Sequence, residues 1–161
     1  NKQDDEDDMR DDIIHEIAHA AEEKYKEFVY DDQQIENEYF AKMKRLKVTL
    51  DYEGYDVHAQ EFYNLEYNPD FDNLLYKEIG YEKLDNLING LFLSPYSITS
   101  LREYWSTGFE EYFLGDRLYL KTVCPYLYKK LSYLESEETL YEQEREYFEK
   151  AYIIFRDENM G

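Results

Sequence analysis

Ile13, Ile14, Ile17, Ala18 and Ala21, followed by Tyr25 and Phe28, recur at three- and four-residue steps, which predicts a helix over residues 12–30. Ala18, Ala20 and Ala21 keep its middle turns narrow, so that another element can approach closely. A second helical pattern, over residues 33–46, carries Ile35, Tyr39, Phe40, Met43 and Leu46. The period then changes to two. Val48, Leu50 and Tyr52 alternate with polar residues and Gly54 offers a turn, so a short β-hairpin is expected over residues 47–57. Asn68-Pro69-Asp70 signals a turn, and helical spacing resumes over residues 71–79 and 81–90.

Ser94-Pro95-Tyr96-Ser97 breaks the pattern again. Thr99 or Ser100 can cap the next helix, with Glu103 three residues past Ser100 in capping-box spacing. Its aromatic row, Tyr104, Trp105, Phe109, Tyr112 and Phe113, reads as core packing, and Gly115 ends it. Residues 116–134 continue as helix, interrupted at Cys124-Pro125. The two ends differ from this. Residues 1–12 are a charge run with almost nothing to bury, read as an acidic linker that becomes helical near its end, with Asp11 or Asp12 as cap or first-turn acid of the following helix. Residues 135–161 read as an acidic C-terminal helix. The expected fold is therefore mainly α (α+β), with at most one small hairpin, in a single domain over residues 13–134.

Composition narrows the function classes. Hydrophobic residues make up 43% of the chain, enough for a globular core, and 38 acidic against 18 basic residues leave a formal charge of -20. Such a surface repels phosphate backbones and anionic lipid, which argues against nucleic-acid and membrane partners and leaves peptide or protein partners open. Nineteen tyrosines suit clefts and interfaces, where a ring offers apolar area with one polar tip. Cys124 is the single cysteine, so no internal disulfide can form. No signal peptide opens the chain, and it begins at Asn1 rather than Met, which reads as a segment of a longer polypeptide.

The candidate chemistry starts at His15-Glu16-Ile17-Ala18-His19. A spacing of four sets both imidazoles on one helical face, where they can reach one zinc ion. Glu16 beside them is placed to take a proton from water. A hydrolytic zinc site has three protein ligands and one open position, so the fold must bring in a further His, Asp or Glu. His58 is the obvious candidate by residue type, but it has no supporting motif and reads as an ordinary, partly buried histidine. The acid pairs Glu110-Glu111 and Glu135 to Glu138 read as solvated, and Cys124 has no partner motif.

The stretch from Ser94 to Glu111, with Tyr96 seven residues before Glu103 at the start of an aromatic-rich helix, resembles the second motif of the anthrax lethal factor catalytic domain family. That family includes the clostridial Pro-Pro endopeptidases, and its H-E-x-x-H-Ala is matched by residues 15–20. The resemblance covers two blocks, residues 12–23 and 91–131. It implies a reduced zincin-like metallopeptidase: Zn²⁺ held by His15, His19 and Glu103, Glu16 as general base, and Tyr96 directed at the oxyanion of the scissile carbonyl. It also implies that residues 30–73 are an inserted lobe, since the interval between the blocks is longer than is usual in the family. Two departures stand out. Thr107 replaces a family glutamate in the turn after the ligand, and the sheet that normally precedes the H-E-x-x-H helix has no counterpart before Asp12. The rival reading is a catalytically silent, zinc-stabilised interaction module of a larger phage virion or toxin assembly.

Overall fold

The structure is a computed structural model that describes residues 1–57, 62, 64–136 and 138–160. Nine α-helices are described, and no strand occurs among the described residues. In order they are α1 (Lys2–Lys24), α2 (Lys26–Tyr30), α3 (Gln34–Tyr52), α4 (Pro69–Asn73), α5 (Tyr81–Leu87), α6 (Leu101–Leu114), α7 (Arg117–Val123), α8 (Pro125–Ser136) and α9 (Glu138–Met160). A π-helical turn, Leu74–Ile79, follows α4, and a 3₁₀ turn, Tyr96–Ile98, precedes α6. None of the described helices is long and apolar enough to cross a membrane.

Two expectations change. Helix α1 starts at Lys2 rather than near Asp12, so the acidic run is helical. Asn1 caps it, its side chain accepting from the Asp4 amide at 3.0 Å, and the acids Asp4 and Asp5 fall in the first turn, where the helix dipole favours negative charge. Met9 packs against the core, and α9 lies along α1. A charge run can therefore be helix when its neighbour supplies the apolar contact that the run itself lacks.

The expected hairpin at residues 47–57 is instead the end of α3. Ile35, Tyr39, Met43, Leu46 and Leu50 form one buried stripe at helical spacing. Val48 and Tyr52, which a strand would place beside Leu50, are 66% and 89% exposed. Lys47 pairs with Asp51 one turn on at 2.7 Å, and Thr49 bonds back to the Arg45 carbonyl at 3.1 Å. The alternation of residues 48–52 was thus an accident of two solvent-facing apolar side chains.

The centre of the molecule is the crossing of α1 and α6. Ser100, in extended conformation, caps α6 by accepting from the Glu103 amide at 3.1 Å, and so fixes Glu103 in the first turn. Trp105, fully buried, donates its indole N–H to the Ala18 carbonyl at 2.8 Å. Ala18 and Ala21 are fully buried too, and their small side chains leave room for α6 to come close. On its other side α6 meets α8 at Gly108, where an added Cβ would stand 2.2 Å from Leu127 Cδ2.

Helix α3 ties the remainder to this centre. The Tyr39 hydroxyl donates to the Ile98 carbonyl at 2.6 Å, which anchors the turn carrying Tyr96. Buried Lys42 donates to the carbonyls of Leu91, at 2.8 Å, and Val123, and to Cys124 Sγ at 3.3 Å. Glu38 accepts from the Tyr104 hydroxyl and, at 2.7 Å, from the Tyr126 amide. Burial pushes the Cys124 thiol up from its ordinary value, consistent with a structural cysteine rather than a nucleophile.

Candidate metal centre

Helices α1 and α6 run antiparallel across their contact, so successive turns of one face successive turns of the other. His19 meets the first turn of α6 and His15 meets positions further along it. One ligand atom each from His15, His19 and Glu103 lie within 4.8 Å of one another. The two imidazole Nε2 atoms are 3.0 Å apart, and each is 3.7 Å from a Glu103 oxygen, His15 from Oε2 and His19 from Oε1. The rings meet edge to face, with an interplanar angle of 85°. Side-chain exposure is 30% for His15 but only 12% and 13% for His19 and Glu103, so the cluster is sheltered on one side and open on the other.

These distances fit a metal. Four-coordinate zinc with bonds of about 2.0–2.2 Å has ligand-to-ligand edges of roughly 3.3–3.6 Å, and the observed separations of 3.0 and 3.7 Å bracket that range. The donor set, two imidazoles and one carboxylate, is also a set that zinc accepts at hydrolytic sites.

Each histidine is held from outside the cluster as well. His15 Nδ1 lies 2.8 Å from Glu110 Oε1. A carboxylate only accepts, so Nδ1 carries the proton and Nε2 presents its lone pair to the cluster. Glu110 is half-buried; burial raises its carboxyl above the usual range, while the bond to His15 pulls the other way. On the far side, Arg102 Nε donates to His19 Nδ1 at 3.0 Å. Burial first, then the Arg102 charge, then His15, push His19 down to about 4, so it is a neutral imidazole at pH 7, as metal ligation requires. Arg102 also lies 3.8 Å from Glu22 Oε1, and Glu22 accepts from the Tyr30 hydroxyl.

An outer partner that donates is unusual, because a ligand histidine normally donates its second N–H to an acceptor. Arg102 therefore opposes a cation twice, by its charge and by the tautomer it favours. Arg102→Gln is expected to tighten zinc binding by up to about tenfold, the modest size reflecting screening of an exposed guanidinium. A competitive chelator titration reads this, and a weakened affinity would refute it.

Compared with protein-family models, curated proteins and solved structures, the chain matches none.

The expected site residues are distributed as follows. His15, His19 and Glu103 come together. Tyr96, 45% exposed, lines both cavities that flank them. One, of about 560 Å³, lies against His15, Thr107 and Glu110; the other, of about 700 Å³, lies against Glu22, Arg102 and Glu103. Burial and the nearby Glu103 charge raise the Tyr96 hydroxyl, so it stays protonated and able to donate. Glu16 is exposed on α1 beside His15. His58 lies outside the described residues. Glu110 and Glu111, expected in solvent, both have internal partners: Glu110 holds His15, and Glu111 accepts from the Asp116 amide at 3.0 Å to close the end of α6. The signal for Glu110 was its seven-residue separation from Glu103, two turns along one helical face.

Proposed function

We propose that the chain is a zinc-dependent endopeptidase of reduced zincin-like architecture, with His15, His19 and Glu103 as the metal ligands. The observation that carries this reading is the convergence of those three ligand atoms, two from an H-E-x-x-H helix and one from a separately capped helix, within 4.8 Å. Zinc, when bound, supplies Lewis acidity toward water and the substrate carbonyl. The chain's own groups do the rest. Glu16 accepts a proton from the attacking water and passes it to the departing amide nitrogen. Tyr96 donates a hydrogen bond to the carbonyl oxygen as negative charge grows there. The cavities on either side of the cluster leave room for a peptide to extend both ways past Tyr96.

One observation favours the rival, a zinc-stabilised interaction module. An edge strand that would pair with a substrate backbone is missing from the described residues. A single experiment separates the two. Protein purified without chelator is expected to hold close to one zinc per chain, and to cleave members of a peptide library that includes Pro-rich and basic sequences. The double variant His15→Ala/His19→Ala should lose both. Zinc without cleavage leaves the interaction module; a full equivalent of zinc in the double variant overturns the metal site itself.

A further inference from the structure

Glu103, Thr107 and Glu110 occupy one face of α6 at intervals of four and three residues, the face that meets α1. The first and last of them grip the same imidazole from its two ends: Glu103 stands 3.7 Å from His15 Nε2, and Glu110 stands 2.8 Å from His15 Nδ1. Thr107 lies between them, and both it and Glu110 line the cavity that His15 borders. The familiar arrangement has a carboxylate or carbonyl outside a ligand histidine, fixing its tautomer and raising its basicity.

We propose that Glu110 is the positioning residue of His15: it holds the imidazole in the Nδ1–H tautomer with Nε2 aimed at the metal, a task that Thr107, one turn nearer Glu103, cannot perform. A neutral imidazole without such a partner is free to move its proton to Nε2, where it blocks the ligating lone pair. The other histidine makes the dependence sharper. Arg102 pushes His19 toward the form with its proton on Nε2, so His15 is the ligand whose lone pair is already presented, and Glu110 is what presents it. An ordinary surface His–Glu pair would also give a 2.8 Å contact, but it would leave metal affinity unaltered when removed.

This assignment rests on the metal-site reading above, and the test keeps the two apart. Glu110→Leu removes the acceptor; Glu110→Gln removes the charge but keeps an oxygen that can accept. Nitrogen-15 NMR of the imidazoles in chelator-treated protein reports the His15 tautomer without any metal, and a competitive titration reports zinc affinity. Glu110→Leu is expected to keep the wild-type melting profile, shift His15 toward the Nε2–H form, and weaken zinc by about 10–100-fold. Glu110→Gln is expected to restore most of the Nδ1–H tautomer and part of the affinity. The proposal is overturned if Glu110→Leu keeps the wild-type tautomer, or if its tautomer changes while zinc affinity stays at the wild-type value. If wild-type protein binds no zinc at all, the metal reading falls on its own, and the NMR arm alone decides whether Glu110 orients His15.

Discussion

Glu16→Ala is expected to keep zinc and the fold while losing about 10²–10⁴-fold in turnover, the usual contribution of a positioned general base. Both halves follow from where Glu16 stands. It is exposed on α1 and not one of the three clustered ligands, so its removal leaves no buried partner unpaired and no metal bond broken. Alanine is also the best helix former, so α1 does not suffer. What disappears is a carboxylate one residue from His15, able to move a proton between water and a leaving nitrogen. Tyr96→Phe is the companion. It should also keep zinc, since the turn is held by the Tyr39 bond to Ile98 and the Ser97 hydroxyl bond to Ser94, not by the Tyr96 hydroxyl. Loss of one oxyanion donor should cost roughly 10²–10³ in kcat. Steady-state kinetics on a cleaved library peptide, with zinc content measured on the same samples, checks both. Equal turnover in wild type and Glu16→Ala would assign the cleavage to a contaminant and end the proposed mechanism.

The sequence was legible where one local rule acted alone. Ile13, Ile17 and Ala21 spelled out the helix that carries both histidines, Ser100 spelled out the cap that sets Glu103, and Cys124-Pro125 marked the break between α7 and α8. It misled where the deciding partner was distant in the chain. Nothing within residues 1–12 says that α9 lies alongside, so a helix read as a linker. Val48 and Tyr52 imitate a strand face only if their exposure is unknown. The same limit applies to the site. The proposed ligand pair on α1 is a matter of spacing, but Glu110 becomes a partner of His15 only because α6 runs antiparallel to α1 and in this register. Arg102 on His19 has the same origin. Outer contacts of a site are set by how helices meet, so they are the last things a linear pattern reveals.

Glu103→Gln should weaken zinc by more than the about 10–100-fold that an outer partner is worth, because it removes the only anionic charge among the three proposed ligands. His58→Ala, the substitution at the rival third ligand, should leave affinity unchanged. Stability carries the same signal without any substrate. A ligand at 1,000 times its dissociation constant adds about 4 kcal/mol to the folded state, so saturating zinc should raise the wild-type melting temperature by many degrees. In Glu103→Gln the rise should shrink, and in His15→Ala/His19→Ala it should vanish. In chelator Glu103→Gln should melt near wild type, because Glu103 is only partly buried and the amide can still accept from the Ser106 hydroxyl, now 3.1 Å from Oε2. That control matters, since a variant that melted early in chelator would be reporting packing rather than metal. If His58→Ala abolished the zinc-dependent rise and Glu103→Gln did not, the third ligand would be His58, and the crossing of α1 with α6 would hold two histidines without completing a metal site.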